Sequence, residues 1–269
     1  MNKPYPFQDI SAALGASQNM ALLLPKEANF DLVAAALGLF LSLEKSGKPA
    51  AIAANFPLTV EFSHLVGLDR IGKEINQGKD LVISLDYPLD KIEKVSYNDD
   101  GGSLNLVIQP KSQAPVISPD KIKFKTAGEG TNFFFLFGGQ GLESFGELVS
   151  AETLQGKNSL SVSREAVSSL GKISVADSQA SSYSEIVTAL LVSLSLPWDQ
   201  DIAQNLYLGL AGATADFTSS AVGADTFEAA AILLRAGAKR EGEEVKKTEK
   251  APLSSDWLEP KIYRGATLV

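Results

Sequence analysis

Ser181–Lys239 reads SSYSEIVTALLVSLSLPWDQDIAQNLYLGLAGATADFTSSAVGADTFEAAAILLRAGAK, and three successive helices can be read from it. The serine pair Ser181-Ser182 precedes Tyr183-Ser184-Glu185, a hydroxyl followed by a glutamate in the pattern of a capped helix start. Apolar residues then recur at helical spacing as far as the turn at Pro197. A second helix, rich in small residues, runs into the T-x-x-F stretch Thr214–Phe217, and a third stops at Gly237.

Working outward, residues 19–54 have the pattern of a β-α-β unit. Met20–Leu24 is a short apolar run, Asn29–Ser46 has helical periodicity with Asn29 as N-cap, and Gly47 ends it. Ala50–Ala53 then returns as a strand, and Pro6–Ala16 in front reads as a short helix packed on the edge. Residues 59–76 hold short helical pieces around Leu65–Gly67. The pattern changes over about 80–130, where Leu81–Leu85, Leu104–Ile108 and Ile122–Lys125 are β runs separated by Asp99-Asp100-Gly101-Gly102 and proline-bearing turns. This is the punctuation of a β-rich insertion. Asn132–Phe137, NFFFLF, is dense enough for the middle of a parallel sheet, and Ser159–Val162 and Lys172–Val175 follow as shorter strands. Alternation of strands with helices predicts an α/β fold: a parallel sheet with helices on both faces, over residues 1–239, carrying the β-rich insertion. Residues 240–269 read as a mixed-charge linker, REGEEVKKTEK, and a short apolar tail containing Trp257, Ile262 and Tyr263.

Composition narrows the function classes. The chain has 269 residues, 45% of them hydrophobic, enough for a large buried core. A net charge of −8 argues against an extended nucleic-acid face, which needs clustered Lys and Arg, but leaves room for a cleft holding one short ligand. The absence of cysteine removes disulfides, thiolate nucleophiles and thiolate zinc sites together. The longest apolar stretch, Leu32–Leu43, is too short to span a bilayer. With no signal-peptide pattern at the start, a cytoplasmic location is the expectation.

The closing three-helix segment, with its T-x-x-F stretch, and the opening β-α-β unit resemble the DHH family of metal-dependent phosphoesterases, which includes oligoribonuclease/pAp phosphatases and single-strand exonucleases. The resemblance covers roughly residues 19–79 and 130–239. It implies a metal site built from motif residues at strand ends, and nearly all of those positions differ here. In the first motif Pro25 stands at the histidine position, Asn29 at the first aspartate, and Asp31 alone keeps its type. The second motif is an aspartate at a strand end. Asp86, after LVIS, is one candidate, and Gly138, after NFFFLF, is the register favoured by its short separation from the third motif. The third motif, Asp-His-His in the family, falls on Val162-Ser163-Arg164, and the fourth on Ala213 within GLAGATADF. The only histidine, His64, lies outside all of them. The family's C-terminal substrate domain has no counterpart after Lys239 in this sequence.

The expected function is therefore that of a catalytically degenerate DHH-like protein, a non-hydrolytic binding or interaction protein with no metal and no cofactor. A nucleotide- or phosphate-binding cleft would draw on Asn29, Asp31, Gly138, Gly139, Gly141, Arg164, Ser181 and Ser182. Each has a plainer reading beside it. Asp31 is either a surviving ligand or an acidic residue favoured by a helix dipole. The Gly138–Gly141 loop cradles a phosphate or fills the space of a lost side chain. Arg164 replaces metal charge, or salt-bridges Asp31 or Glu165. Ser181 and Ser182 approach a ligand or cap a helix. The alternative function is a divergent phosphoesterase acting on short oligonucleotides or nucleoside phosphates, with manganese or magnesium held by Asp31, Asp86, Asp90 or Asp216. Residues 251–269 would meet a protein partner or dock on their own domain, and a homo-oligomer is a further expectation.

Overall fold

The computed structural model describes residue 1 and residues 3–75, 80–127, 130–165 and 170–240. The linker and tail expectations, including Trp257, Ile262 and Tyr263, lie outside the described residues. Met1–Ala238 forms one compact unit.

In chain order the unit contains α1 (Phe7–Gly15), β1 (Met20–Leu24), α2 (Phe30–Lys45), β2 (Ala50–Ala54), β3 (Ile71–Gly72), β4 (Asp80–Leu85), β5 (Ile92–Asp100), β6 (Ser103–Pro110), β7 (Ile122–Ala127), β8 (Phe133–Phe137), α3 (Ala151–Leu154), β9 (Asn158–Ser163), β10 (Ile173–Ala176), α4 (Tyr183–Ser193), α5 (Gln200–Ala213) and α6 (Ala224–Arg235). Six strands form one parallel sheet in the order β10-β9-β8-β1-β2-β3. The alternating side chains of the central strands separate the two faces. Met20, Leu22, Leu24, Phe133, Phe135 and Phe137 join the core that holds α2, α4 and α5. Ala21, Leu23, Phe134 and Leu136 face the other way, against Phe145, Leu148 and Val149. Both faces are covered, but unequally: the long helices crowd one, and short helical turns at Leu142–Leu148 help close the other.

α2 is apolar around nearly its whole circumference because it lies between the sheet and the helices α4 and α5. Its approach to α5 depends on Gly38, where a Cβ would stand 2.8 Å from Leu206. Asn29 caps the helix, its Oδ1 accepting from the Leu32 amide at 2.9 Å. Among the described residues no helix is long and apolar enough to cross a membrane.

The insertion consists of two antiparallel ribbons, β4 with β7 and β5 with β6, neither joined to the main sheet. Asp99 Oδ1 accepts from the Gly102 amide at 3.1 Å to close the β5–β6 turn. At the other end Tyr87 is buried, its hydroxyl donating to the Pro115 carbonyl at 2.6 Å. β5, IEKVSYNDD, is absent from the sequence reading because its charged residues mask the alternation.

Candidate functional site

The strand order reverses between β1 and β8: from β1 the chain builds outward through β2 and β3, and from β8 it builds the other way through β9 and β10. Loops leaving the carboxyl ends of such neighbours diverge, one over each half of the sheet, and leave a crevice. That crevice is present, with a volume of about 590 Å³. It is lined after β1 by Pro25, Lys26, Glu27 and Asn29, after β8 by Gly139, Gln140, Glu143 and Ser144, and after β9 by Ser163 and Glu165, with Leu32 and Tyr183 as well. The Lys26 amide donates to the Ser144 carbonyl at 2.8 Å and ties two of the loops together.

Asp31 sits beneath this cleft rather than in it. It is 4% exposed, and its carboxylate accepts from the Tyr183 amide at 2.6 Å and the Ser184 amide at 3.0 Å. An aspartate in the first turn of α2 thus supplies the negative charge at the start of α4. Burial pushes its carboxyl up to about 6, against the opposing pull of the Ser184 and Tyr183 hydrogen bonds and the nearby Arg164 charge. Arg164 makes no ion pair with Asp31 or Glu165; its Nε donates to the Ala180 carbonyl at 3.0 Å.

The Gly138 position has been filled from its surroundings. Its φ is +60°, and a Cβ there would lie 2.7 Å from Leu32 and 3.3 Å from the Tyr183 hydroxyl. Gly139 also has positive φ, and the Glu143 carboxylate is folded over Gly141. The Val162 side chain is in the core, and Ser163 Oγ accepts from the Glu165 amide at 2.9 Å. Ser182 Oγ accepts from the Glu185 amide at 2.9 Å as the N-cap of α4, and Ser181 Oγ donates to the Glu185 carboxylate at 2.7 Å. Both serines are buried in the protein's own hydrogen bonds.

The structure therefore brings Pro25, Asn29, Gly139 and Ser163 to the cleft, with Asp31 and Gly138 below it. It does not bring Arg164, Gly141, Ser181 or Ser182 to the lining. Ala213 ends α5 and is exposed, and Asp216 stands in a left-handed turn with Ala215 and Phe217. Asp86 and Asp90 belong to the insertion, and His64 is exposed. Among the described residues no three or more His, Cys, Asp or Glu side chains stand where they could share a metal ion.

Lys26, Glu27, Gln140, Glu143, Ser144, Glu165 and Tyr183 are not among the ligand-site residues expected from sequence, where Glu165 figures only as a salt-bridge partner for Arg164. Most flank motif positions by a residue or two, on loops where no periodicity sets side-chain direction. Tyr183 was hidden by its neighbours: the capping pattern drew attention to the serines before it. Burial raises its hydroxyl pKa, with the Arg164 amide and charge opposing.

Behind α4 lies a second cluster. Lys3 Nζ reaches Asp225 at 2.7 Å, Glu185 at 3.0 Å and Asp177 at 3.2 Å. Thr226 Oγ1 also donates to Glu185, at 2.9 Å, and the Tyr5 hydroxyl to Asp177, at 2.6 Å.

The sequence matches no family profile and no curated protein. The fold is similar to that of an exopolyphosphatase-related protein from Bacteroides fragilis, with a TM-score of 0.60 and 11% identity, over 89% of this chain and 59% of that one. The chain thus spans about three fifths of that neighbour's length, and at this identity the likeness is one of fold.

Proposed function

We propose that this chain is a catalytically degenerate protein on a DHH-like, phosphoesterase-type scaffold, and that its cleft binds a small nucleotide without hydrolysing it. The observation that carries the reading is the state of Asp31. The one motif position that kept its residue type directs its carboxylate at two amides of α4, and the fold uses it as a helix anchor. The likeness to an exopolyphosphatase-related protein supports a phosphoesterase-like scaffold. The volume left over, Pro25 and Asn29 at motif positions, and Leu32 and Tyr183 packed over Gly138 support the loss of metal chemistry.

The lining also constrains the ligand. Among the described residues Lys26 is the one cation of its lining, beside Glu27, Glu143 and Glu165, so a polyphosphate would meet more repulsion than attraction. Amide and hydroxyl groups on Asn29, Gln140, Ser144, Ser163 and Tyr183 suit the sugar and base of a nucleotide carrying one phosphate near Lys26. No metal or cofactor takes part.

The test is thermal melting and turnover with nucleoside monophosphates, pAp and dinucleotides, each with and without Mn²⁺ or Mg²⁺. A ligand bound only by the native state raises the melting temperature. The expected result is a metal-independent shift, reduced in Gln140→Ala, with no hydrolysis. Manganese-dependent hydrolysis that vanishes in a folded Asp31→Asn variant would overturn the proposal in favour of a rebuilt phosphoesterase.

A further inference from the structure

The β5–β6 hairpin has an apolar face that no other described residue covers. The register pairs Val95 with Ile108, Tyr97 with Leu106 and Asp99 with Leu104, so these six residues share one face. The opposite face carries the pairs Ser96–Val107, Asn98–Asn105 and Asp100–Ser103. On the first face Val95 is 60% exposed, Tyr97 76%, Leu104 71% and Leu106 50%. A two-stranded hairpin is marginal in water without a covering layer. This one nonetheless holds its register from the Lys94–Gln109 pair to the turn, past an irregularity between Ile92 and Lys94 at the base.

We infer that a second copy of this chain covers that face: two hairpins stack apolar side to apolar side, running in opposite directions about a twofold axis. Two observations select this occupant and this direction. The first is area. The apolar side chains leave on the order of 500 Å² per copy in water, so a stack removes on the order of 1,000 Å², the size at which specific interfaces begin. The second is charge. On this face the turn end carries Asp99 and no basic residue, whereas the strand ends at the base meet Lys91 and Lys111 beside Asp90 and Glu93. Opposed hairpins set Asp99 of one copy at the base of the other, where Lys91 and Lys111 stand. Hairpins running the same way would set the two Asp99 carboxylates together at one end. The arrangement is isologous, with Tyr97 and Leu106 near the axis and Leu104 of each copy toward the partner's base.

Sedimentation equilibrium of the full chain tests this. The expected species is a dimer of 57 kDa, twice the 28.5 kDa chain, at tens of micromolar. Tyr97→Lys and Leu106→Lys weaken it by about tenfold or more, with the melting temperature of the α/β body unchanged. Because the chain has no cysteine, single cysteines report the direction: on oxidation Leu106→Cys links two copies, and Leu104→Cys does not. A chain that stays monomeric at about 200 µM, a range in which an interface of this size associates, overturns the inference and leaves the face to a different protein. So does a dimer that both lysine variants leave intact.

Discussion

Asp31 stands in the first turn of one helix and binds the amides of another, and its ionisation is therefore coupled to folding. Burial raises its carboxyl from 3.8 to about 6, so the folded state holds the proton more tightly than the unfolded chain. The stability from this group is full below about pH 4 and is lost as pH rises through 6. That difference in pKa corresponds to about 3 kcal/mol. Asp31→Asn has no such titration. Urea unfolding at intervals from pH 4 to 7 is expected to show the variant gaining on the wild type by about that amount as pH rises. Parallel curves for the two proteins would contradict the assignment. At this scale the sequence was only partly legible. The residue type of Asp31 stood out, but its partners lie about 150 positions away on α4, and no local pattern announces a contact of that kind.

At the scale of elements, α4 and α6 are held to the start of the chain by a charge cluster rather than by apolar packing alone. Glu185 is 1% exposed and Lys3 8%. Burial would lower the Lys3 pKa, yet hydrogen bonds to Asp225, Glu185 and Asp177 outweigh it and leave the pKa raised. Removing the ammonium leaves a buried carboxylate with only the Ser181 and Thr226 donors. Lys3→Met is expected to cost about 3 kcal/mol, the lower part of the range for a broken buried pair. Chemical denaturation measures it, and a loss below about 1 kcal/mol would place the pair among surface bridges. Elements were the most legible level in the sequence. β1 matches its predicted run end to end, and the Asn29 cap and the three closing helices fall where periodicity and capping put them, because those signals are local. β5 escaped because Glu93, Lys94, Asp99 and Asp100 crowd the short Val95–Tyr97 alternation.

Over the whole molecule, the unit divides into a sheet-and-helix body and a β arm that hydrogen-bonds as strands only with itself. Replacing residues 80–127 with a short Gly-Ser linker is expected to leave a cooperative thermal transition within a few degrees of the original. Loss of that transition would mean that the arm supports the body. The arm was legible as an insertion because turn residues and charge interrupt the α/β alternation. The cleft was legible in place but not in lining: strand ends mark where a crevice opens, whereas loop conformation decides which side chains enter it. One glycine bears on the molecule's stability as well as its chemistry. With φ at +60° and a Leu32 methyl 2.7 Å from any Cβ, an aspartate at position 138 has to hold a left-handed backbone and displace that methyl. A variant carrying an acid there also has to make room beside the Tyr183 hydroxyl, 3.3 Å away. A carboxylate at this strand end therefore comes with a cost in stability that the rest of the fold has to absorb.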